Sequence, residues 1–177
     1  MKKQAWLILC IITVIAGVAL GATDNLTRDK IAEQEAIALN AARLSVMPAA
    51  TDFAEEALPE GFALDSLYSA KNGEETVGYV GQTTVTGFGG PIVVVLGVDG
   101  DGTVTGISVG GSSFAETAGL GTRTKEPEFT DQFKGLTGAP KLGDNVDGVS
   151  GATVSSSAVT GGAGTIYQAI SALLGKQ

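Results

Sequence analysis

Hydrophobic and polar positions divide this chain into segments with distinct periods. From Gln4 to Thr23 there is no charged residue, and Trp6 to Ala22 is almost wholly apolar, with Leu7, Leu9, Ile12, Val14, Ile15, Val18 and Leu20 distributed all round a helix. About twenty residues at 1.5 Å each span roughly 30 Å, the thickness of a bilayer's hydrocarbon core. A single transmembrane anchor over residues 1–23 is predicted. Lys2 and Lys3 precede the run, whereas Asp24, Arg28, Asp29 and Lys30 beyond it cancel. The positive-inside rule therefore places the amino terminus in the cytoplasm and the rest of the chain outside a cell (inner or plasma) membrane. A cleaved signal peptide is the alternative, since Ala16, Ala19 and Ala22 offer small residues at cleavage spacings. The apolar run is longer than a usual signal core, which favours the anchor. Cys10 lies inside it and reads as a membrane-facing thiol.

Residues 24–48 mix alanines with Arg28, Glu33, Glu35 and Arg43, and end at Met47-Pro48, which predicts a helical stalk. The remainder, 49–177, reads as one domain. Leu58, Phe62, Leu64, Leu67 and Tyr68 lead to a turn at Lys71-Asn72-Gly73, and Thr76 to Thr86 alternates with β-branched residues. Ile92–Val98 and Thr103–Val109 are two further strands. Asp99-Gly100-Asp101-Gly102 between them predicts a hairpin. After a less regular stretch holding Phe129 and Phe133, residues Val159, Ala163, Ile166, Ile170 and Leu173 recur every third or fourth position, the stripe of a terminal helix. Gly161, Gly162 and Gly164 weaken that helix but permit close packing. The expected class is α+β: an amino-terminal transmembrane helix, then a mainly antiparallel sheet with packed helices.

Composition removes much chemistry. With no His, there is no Ser-His-Asp or Cys-His triad and no imidazole metal ligand. One Cys cannot hold an iron–sulfur cluster or close an intrachain disulfide. Any redox role requires an organic cofactor. The formal net charge of −8 disfavours a nucleic-acid partner. Gly87-Phe88-Gly89-Gly90 does not fit a dinucleotide-binding spacing, and Gly175-Lys176 is followed by Gln177, so no P-loop is present.

The segment Asp147-Gly148-Val149-Ser150-Gly151-Ala152-Thr153-Val154-Ser155-Ser156-Ser157 stands ahead of the terminal helix. Small residues, hydroxyls and the free amides of a helix N-terminus make a reasonable anion site. Taken alone it is equally an ordinary capping loop. No Lys or Arg occurs from Leu142 to Gly175, so a phosphate here meets only dipoles and hydroxyls. Outside a cell, a ligand held with about 8 kcal/mol is lost by dilution. A covalent link removes that difficulty.

The run Asp147-x-x-Ser150-Gly151-Ala152-Thr153-x-Ser155-Ser156 resembles the flavinylation signature of extracytoplasmic FMN-binding domains, and Glu116-Thr117-Ala118-Gly119-Leu120-Gly121 is similar to a second loop of that family, with Ala118 where proline is usual. The order of parts most closely resembles the G-subunit family of the Rnf complex, an ion-translocating ferredoxin:NAD oxidoreductase; the sister family is the C subunit of the sodium-translocating NADH:quinone reductase. The resemblance implies an electron-transfer subunit of a membrane-bound oxidoreductase, without substrate turnover of its own. It implies FMN esterified to Thr153, a phosphate turn shaped by Ser150, Gly151, Ala152, Ser155 and Ser156, and recognition of Asp147 by a flavin transferase. Glu116, Thr117, Gly119, Leu120 and Gly121 would form a wall near the isoalloxazine ring. Arg123 and Lys125 either stand near the flavin or pair with Glu126 and Glu128. Other Rnf subunits are the implied partners. A covalent-flavin carrier of another electron-transfer system, or a module binding a phosphate ligand reversibly, are the alternative functions.

Overall fold

The computed structural model describes residues 2–175. Helix α1, Lys2–Val46, is continuous through the predicted anchor and stalk. Its apolar part is long enough to cross a bilayer, with mean hydropathy 2.4 over its most apolar stretch, and the side chains from Trp6 to Leu20 are all exposed. In water such a surface would drive association; hydrocarbon is the medium that suits it. The compact unit takes in the chain from Leu39 onward, so the last turns of the expected stalk belong to the domain.

The domain is built on strands β1 (Asp52–Glu55), β2 (Ser66–Asn72), β3 (Glu75–Thr86), β4 (Pro91–Asp99) and β5 (Val104–Gly110). They form one antiparallel meander in the order β1-β2-β3-β4-β5. The predicted hairpin pairs β4 with β5, and the Asp99 carboxylate closes it by accepting from the amides of Asp101 (2.9 Å) and Thr103 (2.8 Å). Strand β1 went unforeseen in the sequence: four residues, exposed at both ends, carry no clear alternation.

Alternate residues of β4 explain its unbroken apolar run, because both faces of the sheet are covered. Ile92, Val94, Leu96 and Val98 join the core beneath helix α3, Thr153–Leu173, where they meet Val159, Ala163, Ile166 and Ile170. Leu173, the last residue of the predicted stripe, is exposed. On the opposite face Val95 and Val80 pack with Val46, Met47 and Ala50. That contact requires glycine in the strands: a Cβ on Gly97 would lie 2.6 Å from the Val46 carbonyl oxygen. Thr105 donates its hydroxyl to the same carbonyl, capping the end of α1.

Between β5 and α3 the chain forms a short 3₁₀ turn at Gly121–Lys125, helix α2 (Pro127–Thr130) and a second 3₁₀ turn at Asp131–Phe133. Phe129 and Phe133 anchor this stretch edge to face, with ring centroids 5.4 Å apart. Both rings are buried, which fixes the residues around them, including Gln132.

Candidate functional site

Helix α3 starts within the hydroxyl-rich segment rather than after it, with Thr153 as its first residue. Ala152 occupies the N-cap position, and no side chain bonds to the free amides of the first turn. This is the poorest class of capping residue, in a segment that offers several serines. Gly151, at φ 78°, turns the chain into the helix; the Ala152 amide closes the turn on the Val149 carbonyl at 3.0 Å. Ser150 and Thr153 are exposed. The helix thus presents unsatisfied donors and an accessible hydroxyl at its positive end.

Ser155 and Ser156 face inward and are buried. The Ser156 hydroxyl accepts the Val149 amide at 3.0 Å, which ties the loop to the helix. The Ser155 hydroxyl donates to Glu116 Oε2 at 2.8 Å. Of the two, Ser156 contacts the Val149–Ala152 turn and Ser155 contacts Glu116.

Glu116 is also buried, and its second oxygen, Oε1, accepts the Gly89 amide at 3.0 Å. One side chain therefore joins the β3–β4 loop, its own loop and the first turn of α3. Gly87 and Gly121 make room for it, since a Cβ on either would collide with its carboxylate. Its inward course separates Glu116 from the exposed members of its loop, Thr117, Gly119 and Leu120. There the Leu120 amide bonds the Thr117 carbonyl at 3.1 Å and Gly119 takes φ 75°, the arrangement of a type II turn. Ala118 holds the position where proline is favoured, and the turn closes without it.

Three large apolar side chains stand exposed on the elements that Glu116 joins: Phe88 (75% exposed) on the β3–β4 loop, Leu120 (42%) on the Glu116 loop and Val154 (55%) in the first turn of α3. Leu120 approaches Gly151, where an added Cβ would stand 3.0 Å from its Cδ2. Sequence reasoning missed Phe88 and Val154. An aromatic residue set among glycines at a hairpin tip was the available signal for Phe88.

Arg123 pairs with Glu128 at 2.7 Å and Glu126 at 3.7 Å. Its pKa is raised, first by the hydrogen bond to Glu128 and then by that residue's charge. Lys125 lies over the Phe114 ring, 4.6 Å from its centroid. A cleft of about 480 Å³ separates Arg123 and Glu128 from the stretch Asp147–Ser150. Gln132 spans it: its Oε1 accepts the Asp147 amide at 2.8 Å and its Nε2 donates to the Asp147 carbonyl at 3.3 Å. Sequence reasoning gave no hint of Gln132. Among the described residues no group of three or more acidic or Cys side chains is placed to hold a metal ion.

This chain is similar to known proteins. The family described as the FMN-binding domain matches residues 87–168, a span running from the Phe88 loop through most of α3. The chain is similar to the G subunit of the Na(+)-translocating ferredoxin:NAD(+) oxidoreductase complex of Acetobacterium woodii, at 33% identity over 93% of this chain and 91% of that protein. Similarity to the G subunit of the ion-translocating oxidoreductase complex of Methanosarcina acetivorans is 32%, over 85% of each chain. Among solved structures, the C subunit of the Na(+)-translocating NADH-quinone reductase of Parabacteroides distasonis aligns with a TM-score of 0.50 and 25% identity, over 63% of each chain.

Proposed function

This chain belongs to the G-subunit family of ion-translocating oxidoreductase complexes, and from that membership we propose that it is the flavin-carrying electron-transfer subunit of an Rnf-type complex, with FMN joined through its phosphate to Thr153 Oγ. The complex couples ferredoxin:NAD electron transfer to ion translocation. The observation that carries the covalent site is the exposed Thr153 on a helix whose N-cap is Ala152 and whose first-turn amides have no side-chain cap. A phosphodiester on Thr153 supplies the missing cap, and its charge meets the positive end of the helix dipole.

When bound, FMN supplies the redox chemistry that a chain without His and with one Cys lacks. The residues of this chain hold and orient it. Gly151 and the Val149–Ala152 turn keep the ester at the helix end, while Phe88, Leu120 and Val154 offer an apolar wall for the ring. Glu116 holds that wall to α3 and, as a carboxylate, opposes added negative charge nearby, lowering the flavin's potential. Arg123 is occupied by Glu126 and Glu128, which supports a structural role for it. The anchor crosses the cell membrane once, with the amino terminus cytoplasmic and residues 49–177 outside. The domain meets other subunits of the complex there, and a flavin transferase during maturation.

Chain produced with a flavin transferase should remain fluorescent on a denaturing gel and be heavier by one FMN minus water. Thr153→Ala should lose both signals and Thr153→Ser should keep them. Covalent flavin on the Thr153→Ala chain would overturn the assignment.

A further inference from the structure

From Asp147 to Gly151 the chain has no regular secondary structure and contains two glycines, yet it ends at the buried Ala152 and must be held along its length. Inside the motif, the Ser156 hydroxyl on the Val149 amide holds its middle. At its start the restraint comes from outside the motif: Gln132 binds both backbone groups of Asp147, as a neighbouring strand would. The carboxamide is steadied in turn, Nε2 also donating to the Glu128 carbonyl at 3.2 Å. Gln132 stands next to the buried Phe133, so its position is inherited from the core. Asp147 and Ser150 remain exposed beside the cleft of about 480 Å³.

We infer that Gln132 is a positioning residue for flavinylation, holding Asp147–Ser150 in the shape a flavin transferase binds. The inference rests on the reading that Thr153 is the esterified residue. In the installing step Thr153 Oγ attacks the FMN-side phosphorus of a flavin adenine dinucleotide. The Oγ–P bond forms, the P–O–P bridge breaks, AMP leaves, and the hydroxyl proton passes to a base on the transferase; nothing is oxidised or reduced. Gln132 touches none of these atoms. Its effect is to order the segment before the partner arrives, so that less conformational freedom is lost on binding. Such an effect falls on the concentration of chain needed and leaves the chemical step on α3 unchanged.

The test uses the full chain in detergent, made without a transferase, and incubated with purified transferase and FAD at a series of chain concentrations. Initial rates are read from covalent flavin fluorescence and mass. Gln132→Ala should raise KM about tenfold, the size expected for two ordinary hydrogen bonds, with kcat within about twofold. Gln132→Glu keeps the acceptor for the Asp147 amide and should fall between; it also carries the test if the alanine variant does not fold. After flavin is attached, the Gln132→Ala chain, whose net charge is that of the wild type, should show the wild-type visible spectrum and potential. A wild-type KM in both variants, a loss confined to kcat, or a shifted potential would overturn the inference. Failure of the underlying reading looks different: wild-type chain would stay unlabelled, or Thr153→Ala would take up flavin.

Discussion

Replacing Glu116 separates its two roles, bracing the site and lowering the flavin's potential. In Glu116→Ala the buried Ser155 hydroxyl and the Gly89 amide lose their acceptor, and the space against Gly87 and Gly121 empties. An orphaned buried donor costs about 1–3 kcal/mol. The Ser155 hydroxyl is the larger share, because Gly89 lies at the surface and water can reach it. Relief of the desolvated carboxylate offsets part of the loss. A net destabilisation of about 3 kcal/mol follows, or roughly 10 °C in Tm for a domain of this size. Glu116→Gln should cost only about 1 kcal/mol, because its carbonyl can accept the Gly89 amide while its NH₂ donates to Ser155 Oγ. Thermal unfolding of the unflavinylated chain in detergent, followed by near-ultraviolet circular dichroism, measures both. On the flavinylated chain Glu116→Gln should raise the midpoint potential, since a negative neighbour is removed. An alanine variant within about 1 kcal/mol of wild type, or a glutamine variant as unstable as alanine, would refute the bracing role. An unchanged potential would refute the electrostatic one.

Attachment of flavin should itself stabilise the domain by about 1 kcal/mol, or some 3–5 °C, because the phosphate caps α3 where Ala152 cannot; equal melting of flavinylated and unflavinylated wild type would contradict this. Gly97→Val should destabilise the domain by about 2–3 kcal/mol by forcing β4 off the Val46 carbonyl, whereas Gly100→Ala, in open space at the hairpin tip, should stay within about 0.5 kcal/mol in the same melt. Phe88→Ser should leave stability within about 0.5 kcal/mol, since the ring is 75% exposed, but should weaken the visible circular dichroism of the bound flavin; an unaltered signal would place the isoalloxazine ring elsewhere.

Much of this molecule is written in local pattern. The apolar run before Thr23, the alternation in β3, the Asp-Gly hairpin and the stripe on α3 each follow from a period that backbone geometry imposes on neighbours. The threonine motif was legible for the same reason, as a contiguous string whose residue types announce a helix start. What stayed hidden joins residues far apart along the chain. Glu116 meets Gly89 across 27 positions and Ser155 across 39, and Gln132 reaches Asp147 across 15. No period marks such pairs. An isolated glutamate reads as a surface charge, and a glutamine beside phenylalanine reads as filler. Only the closing of the sheet under α3 buries Glu116 and aims its two oxygens at separate loops. Local sequence marked a helix start rich in hydroxyls, and the resemblance of that string to a flavinylation signature singled out Thr153 as the residue proposed to carry flavin. Its surroundings came from packing, because burial and hydrogen-bond partnership are properties of the folded chain and of no single segment.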